Sequence, residues 1–314
     1  LPVLPQRLFA GMQSYALIAL ALFIFMGQLM NSSGITQRLV DLCLVFVGRF
    51  SGGLGMVNVS TSMLFGGISG SSTSDTASIG SVLIPEMKKR GYPLSYASGI
   101  TVASSTMGMI LPPSIPMVLY AVSAQVSVGK LFLGGIIPGL MVGILQLCIA
   151  VWISKRNNYP KENAEGSWKR CFTAVSQSVH ILIMPVFVVG VVVFGIATAT
   201  ESAALGGLYA LGIGIFFMRF LTLKSFYESL LSAARTSAYI MIIIAFSQVF
   251  VWILALERAP ESMTQLMLSL ELTPTLLMLL IMVIVLVIGT VIDVSPAILL
   301  LTPILLPVIT KAGI

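Results

Sequence analysis

Charge is what this sequence has least of. Asp, Glu, Lys and Arg make up 9% of its 314 residues, whereas a soluble domain carries roughly a quarter. A chain this poor in charge cannot clothe a water-facing surface, which excludes an ordinary soluble enzyme or binding module. Histidine is nearly absent. His180 is the single one, with no second imidazole or neighbouring thiol to complete a transition-metal site. The three cysteines, Cys43, Cys148 and Cys171, show no paired spacing and read as small apolar filler. Lys and Arg outnumber Asp and Glu by 17 to 11. They sit in loops beside apolar segments, where they orient a membrane protein rather than bind nucleic acid. No Ser-Lys or paired-Asp constellation of an intramembrane enzyme stands out, and no organic cofactor is expected. A signal-peptide pattern is missing as well. The sequence opens at Leu1 and closes at Ile314, directly after an apolar segment, and is expected to be an internal piece of a longer protein.

What is abundant is apolar: 57% of the residues are hydrophobic. Long runs such as 15–30, 131–153 and 276–288 are continuous rather than alternating. Lipid offers the backbone no hydrogen-bond partners, so spanning segments are helices or a closed barrel. The lack of a two-residue period selects helices. The expected fold is all-α and polytopic. Spans are predicted at 14–30, 131–153, 178–196, 202–218 and 237–256, with a broken span at 98–123. Helical hairpins are predicted at 54–87 and 274–309, a polar loop at 154–171, and helices lying along the interface at 35–48 and 260–272. The chain divides into a span and arm (1–53), a hairpin with its broken helix (54–125), a span and linker (126–176), further spans and an arm (177–273) and a second hairpin (274–314). Trp152, Trp168 and Trp252 are expected as interface anchors.

Walking the chain with each hairpin returning to its own side puts thirteen of the 17 Lys and Arg on one face, among them Lys88, Lys89, Arg90, Lys155 and Arg156. Arg7, Lys130, Arg258 and Lys311 fall on the other. The positive-inside rule makes the first face cytoplasmic. Reading either hairpin as one crossing would spoil the bias.

A repeat is concealed in this order. Gly67, Pro85, Lys89 and Gly91 recur 222 positions later as Gly289, Pro307, Lys311 and Gly313. Each copy runs span, interfacial helix, hairpin, and the charge bias opens the two hairpins to opposite sides. Repeats of inverted topology with re-entrant hairpins are the usual build of secondary transporters.

Three segments carry candidate chemistry. The first hairpin turns through GGISGSSTSDTASIG, which places Ser69, Ser71, Ser72, Thr73, Ser74, Asp75 and Thr76 at membrane depth. Irregular backbone there must line a cavity or be buried in protein. Its oxygens can replace the water shell of Na⁺. A half-helix starting near Asp75 would turn its N–H groups toward a carboxylate. The competing reading makes Ser and Gly packing residues and Asp75 a helix cap. The broken span ITVASSTMGMILPPSIPMVLY holds Ser104, Ser105, Gly108 and Ser114 around Pro112 and Pro113, which remove helix donors and free carbonyls. The second hairpin turns through GTVIDVSPA. There Asp293 lines a cavity or caps a half-helix starting at Pro296, with Gly289 and Ser295 beside it. Thr198 and Glu201 match a capping box, and that structural role is the preferred one.

GGISGSSTSDTASIGSVLIPEMKKRGY followed by MILPPSIPMVLYA resembles the large membrane subunit of the tripartite ATP-independent periplasmic (TRAP) transporters, the DctM-like family. GIATATESAALGGLYAL and GTVIDVSPAILLLTPILLPV resemble two further motifs of that subunit. The family usually has Thr-Pro-Thr-Glu where this chain has Thr198, Ala199, Thr200 and Glu201. The resemblance implies a Na⁺-driven importer of organic acids in the bacterial inner membrane, of elevator type, with hairpins and broken helices as the moving part. It implies a periplasmic substrate-binding protein and a small membrane (Q) subunit as partners. It also implies a Na⁺ site where Ser69, Ser71, Ser72 and Asp75 face Ser105 and Gly108, and a second at Gly289 and Asp293. Substrate contacts are expected from Ser71, Thr73, Ser74, Thr76, Ser104, Ser114 and Ser295, and helix breaks at Pro112, Pro113 and Pro296. The family continues past Ile314 with a second broken helix and opens with further spans, so this piece alone is not expected to transport. A carrier of the same fold acting without a binding protein stays open, as does, more remotely, an intramembrane enzyme.

Overall fold

A computed structural model describes residues 3–50, 52–160, 168–217 and 221–313. Among these, fourteen α-helices follow one another. They are α1 (Val3–Met12), α2 (Tyr15–Ser32), α3 (Ile35–Val47), α4 (Gly53–Ser69), α5 (Ser72–Lys89), α6 (Leu94–Ser105) and α7 (Ile115–Ala124). The series continues with α8 (Val128–Arg156), α9 (Trp168–Val193), α10 (Ala199–Gly212), α11 (Leu223–Leu256), α12 (Ala259–Leu268), α13 (Pro274–Gly289) and α14 (Val294–Lys311). A 3₁₀ turn, Thr106–Met109, extends α6, and a π turn, Ile213–Phe217, extends α10.

Among the described residues, five helices, α8, α9 from Phe172, α10 with its π turn, α11 and α14, are long and apolar enough to cross a membrane. The chain is a polytopic membrane protein. Most large side chains on α8 and α13 point outward, among them Ile137, Met141, Leu145, Met282 and Leu286. That pattern suits lipid rather than water. Trp152 lies near the end of α8 with the Arg156 guanidinium 5.5 Å from its ring. The side chains of Trp168 and Cys171, and all of Lys161 and Arg219, lie outside the described residues.

The chain forms two compact units. The larger comprises 19–117 and 128–234. Its centre is α4, buried on nearly every side, with Leu54, Val57, Phe65 and Ile68 at 0 to 1% exposure. α3, α6, α8 and α9 pack around it. Close approach depends on glycines four apart on α8. A methyl group on Gly139 would stand 2.6 Å from Leu111 Cδ2, and one on Gly143 would stand 2.6 Å from Met63 Cε. Such small-residue stripes let membrane helices approach closely. The end of the hairpin is tied back by Tyr92, which donates to the Pro160 carbonyl at 3.0 Å and packs with Tyr96 and Tyr159.

The smaller unit comprises 1–18, 118–127 and 235–314. One cluster of Met267, Leu277, Ile281, Leu305 and Val308 joins α12, α13 and α14. Leu277 lies near the start of α13 and Val308 near the end of α14, so the chain folds back on itself. The sixteen residues of α13 reach about 24 Å at 1.5 Å per residue, short of a hydrocarbon core of about 30 Å.

Several sequence-based boundaries need correction. Helix α9 starts ten residues before the predicted span, and α11 starts fourteen before. The 34 residues of α11 reach about 51 Å. Its polar first turns continue the helix past the thickness that hydropathy can register. The predicted loop 154–171 is partly helical at both ends, and α1 was not anticipated. The repeat offset holds at the level of helices: α5 and α14 both start and end 222 positions apart, at Ser72 and Val294, and at Lys89 and Lys311.

Candidate functional site

The first hairpin turns where two local rules meet. Gly70 adopts the left-handed conformation, φ 62°, and its N–H returns to the Gly66 carbonyl at 3.1 Å. This is the usual glycine stop of a helix. Ser71 is extended, φ −142° and ψ 123°, and leads into α5 at Ser72 without a side-chain cap. The half-helix therefore starts three residues before the expected position, and its first-turn N–H groups are not capped by a side chain.

Asp75 lies one turn inside α5 and is fully buried. Its Oδ1 accepts a hydrogen bond from Ser69 Oγ. Its Oδ2 is buried without a hydrogen-bond partner. The carboxylate faces the tip of the hairpin rather than the N–H groups of its own first turn, so the cap reading of Asp75 is set aside. Opposite stands Gly108 in the 3₁₀ turn. A methyl group there would lie 2.5 Å from Asp75 Oδ2. On the other side of Gly108 is Gly66, where a methyl group would come within 2.8 Å of Gly108 Cα. Two glycines thus let α4, α5 and the 3₁₀ turn cross with the carboxylate between them.

The break after the 3₁₀ turn closes over the tip. Pro112 and Pro113 supply no N–H groups, so the helix is interrupted as expected. Ser114 Oγ donates to the Met109 carbonyl at 2.6 Å, and the N–H of Ile115 donates to the Gly70 carbonyl at 3.2 Å. The Pro113 carbonyl oxygen lies 3.0 Å from where a Gly70 side chain would stand. Across the tip, α2 contributes Gly27, whose methyl would stand 3.1 Å from the Ser69 carbonyl oxygen. Ser69 is held from two sides.

The structure therefore brings together Ser69, Ser71, Asp75 and Gly108, with Pro112, Pro113 and Ser114 beside them. Ser71 Oγ lies 3.0 Å from Thr73 Oγ1 on the open side, where Ser72 and Ser74 are half-buried. Thr76 Oγ1 donates to the Ser72 carbonyl at 2.8 Å. Other candidates are occupied elsewhere. Ser105 Oγ donates to the Thr101 carbonyl of its own helix at 2.7 Å. Ser104 belongs to a separate buried network. Its hydroxyl lies 3.0 Å from Asn58 Oδ1 and 2.8 Å from Ser62 Oγ, and Asn58 Nδ2 donates to Thr101 Oγ1 at 2.7 Å. Ser104 braces α4 against α6 rather than facing the tip. Asn58 and Gly27 escaped the sequence reading, and Gly66, inside the quoted turn, was given no role of its own. The available signals were one amide in an apolar helix and one isolated glycine in an apolar span.

The second hairpin differs. Asp293 precedes α14, which starts at Val294 and not at Pro296. Asp293 makes no side-chain cap bond and is exposed, as is Gly289. Ser295 is half-buried. Pro296 sits in the first turn of α14, where its missing N–H costs nothing, so it does not break a helix. The capping box of Thr198 and Glu201 is formed in full, with the Thr198 N–H donating to Glu201 Oε2 at 2.8 Å. His180 packs its ring 4.4 Å from that of Phe217.

The family model of the tripartite ATP-independent periplasmic transporter, DctM component, matches residues 1–314. The chain belongs to the DctM family. Within that family it is 38% identical over 309 residues to the isethionate TRAP transporter permease protein DctMQ of Oleidesulfovibrio alaskensis, covering 98% of this chain and 49% of that protein. It is 34% identical over 312 residues to the 2,3-diketo-L-gulonate TRAP transporter large permease protein YiaN of Escherichia coli, covering 99% of this chain and 73% of that protein. It is 36% identical over 312 residues to the sialic acid TRAP transporter large permease protein SiaM of Vibrio cholerae, covering 98% and 72%. This DctM-family chain thus spans about half the length of the first relative and nearly three quarters of the others. The relatives are permease subunits, and this chain is not an enzyme.

Proposed function

We propose that this DctM-family chain is the central part of a Na⁺-coupled permease that imports an organic anion across the bacterial inner membrane. The observation that carries the reading is the buried Asp75 Oδ2, pressed against Gly108 and left without a hydrogen-bond partner. A buried carboxylate oxygen without a partner is costly. A hard monovalent cation held by that oxygen and the Ser69 hydroxyl, with backbone carbonyls of the hairpin tip completing its shell, would offset the cost. The N–H groups at the start of α5, capped by no side chain, then suit the substrate's acid group. The relatives' names cover a sulfonate, isethionate, and carboxylates such as sialic acid and 2,3-diketo-L-gulonate. An organic anion is the chemistry they share.

The matching order of helices 222 positions apart, with the charge bias of the loops, supports an inverted repeat. In that arrangement the two hairpins re-enter the membrane from opposite sides, and the hairpins with the broken helix move as the transporting part. The double length and compound name of the isethionate relative fit a fused small Q subunit, so a separate or fused Q subunit and a periplasmic substrate-binding protein are the proposed partners. The test uses the complete transporter in proteoliposomes. Asp75→Asn should abolish uptake driven by a Na⁺ gradient. Full uptake by that variant overturns the assignment, and uptake without the periplasmic protein turns the reading toward a stand-alone carrier.

A further inference from the structure

A groove of about 300 Å³ runs between α6 and α8 within the larger unit. Its walls are mostly apolar. Tyr96, Gly99, Ile100 and Ala103 line it from α6, and Ile149 and Ile153 from α8. On each helix these positions lie three or four residues apart or side by side, so each set forms one stripe. Nothing lies within 4 Å of where a Gly99 side chain would stand, which leaves the middle of the groove open.

The groove is closed at one end and charged at the other. At its inner end Gln146 Nε2 donates to the Ala103 carbonyl at 2.9 Å and bridges the two helices. One turn further along α8, a methyl group on Gly143 would stand 2.6 Å from Met63 Cε and 3.0 Å from Met107 Sδ, so the packing is shut there. At its outer end Tyr96 Oη lies 3.3 Å from Ser154 Oγ, and the Ser95 hydroxyl lines the same end. The stripe on α8 runs on from Ile149 and Ile153 to Arg156 in the last turn, at the face that the charge bias makes cytoplasmic. Arg156 lies over the exposed Trp152 ring and has no carboxylate partner among the described residues. The ten residues from Gln146 to Arg156 rise about 15 Å, half of a hydrocarbon core of about 30 Å. The groove is one leaflet deep.

We propose that this groove holds one acyl tail of an anionic phospholipid from the cytoplasmic leaflet, with the phosphate beside Arg156 and Ser95. A partner's transmembrane helix would need a seam through both leaflets, whereas this groove stops halfway. The guanidinium at its mouth matches a phosphate in charge and geometry. The tail then braces α6 against α8, and α6 is the helix that leads into the 3₁₀ turn at Gly108. The proposal does not depend on the reading of Asp75 as a cation site.

The test is native mass spectrometry of the purified complete transporter, stripped of lipid and titrated with dioleoyl phosphatidylglycerol or dioleoyl phosphatidylcholine. The expected result is one tightest site that prefers phosphatidylglycerol about fivefold, the worth of one basic residue at a membrane surface. Arg156→Gln should remove that preference. Gly99→Phe fills the groove and should weaken the site at least about tenfold. Gly134→Phe, at an equally open and exposed position of α8 outside the groove, should leave it unchanged. If Gly99→Phe does not fold, labelling of the wild type decides. Phosphatidylglycerol carrying a diazirine at mid-tail should mark peptides 99–103 and 149–153 more heavily than the lipid-facing stretch around Ile137 and Met141. Even labelling would leave only annular lipid and overturn the proposal, as would unchanged binding by a folded Gly99→Phe. A preference untouched by Arg156→Gln would overturn the headgroup assignment. Release of the small membrane subunit by Gly99→Phe, with lipid binding intact, would give the groove to that subunit instead.

Discussion

In the first hairpin the acid near the turn, Asp75, is fully buried, bonded to Ser69 and pressed against Gly108. In the second, Asp293 stands exposed before α14 without a bond to its first turn, and Gly289 has open space where a side chain would go. The offset that aligns the two hairpins matches Asp293 with Ser71 and Asp75 with Ala297. The acids are therefore not equivalent members of a repeated site. The repeat copies helix lengths and turns, whereas the buried carboxylate belongs to one copy, created by glycine crossings that the other lacks. Two motifs that look alike as sequences, a polar turn with one Asp, differ in what surrounds the acid.

The largest effect should separate the two acids. Asp75→Asn is expected to lower Na⁺-driven uptake by at least about a hundredfold, in the range seen when a key charged contact is lost. Asp293→Asn is expected to cost less than about tenfold. Uptake assays on both variants of the complete transporter check this, and equal losses would make the acids equivalent after all. Next come the glycines. Gly108→Ala pushes a methyl into the Asp75 carboxylate and should raise the half-saturating Na⁺ concentration about tenfold, equivalent to about 1.4 kcal/mol. Gly289→Ala has free space, gains helix propensity of up to about 1 kcal/mol, and should leave Na⁺ dependence unchanged. Titrations of uptake against Na⁺ distinguish them.

A smaller effect probes the Asn58 network. Ser104→Ala leaves Asn58 and Ser62 short of a partner and should cost about 1–3 kcal/mol of stability. It should appear as a lower unfolding temperature with no change in Na⁺ half-saturation. A shifted Na⁺ dependence would return Ser104 to the site. The smallest expected change is at Thr198→Ala, which removes one half of the capping box and about 1 kcal/mol. Thermal unfolding should register it while transport at ordinary temperature does not change.

The sequence shows these sites unevenly, for physical reasons. Both hairpins could be read to within a few residues because Gly70 and the residues around Asp293 interrupt apolar runs that otherwise continue. The break at Pro112 and Pro113 follows from missing donors alone. Hydroxyl partners could not be read. Ser104 and Ser105 are neighbours in the same motif, yet one joins Asn58 from another helix and the other returns to Thr101. That choice depends on which helix lies alongside. Gly27 looked like any glycine in an apolar span until α2 was laid against Ser69. The extra turns of α9 and α11 lie beyond the apolar windows that mark a span, so composition ended those helices too soon.

The central claim is that Asp75, buried against Gly108, holds a cation. Equilibrium binding of radioactive Na⁺ to the purified complete transporter tests it most directly, with wild type, Asp75→Asn and Asp293→Asn compared at equal folded fraction. The account predicts that Asp75→Asn loses saturable Na⁺ binding at the first hairpin while keeping its Na⁺-free unfolding temperature. Na⁺ binding by Asp75→Asn equal to that of wild type would contradict it.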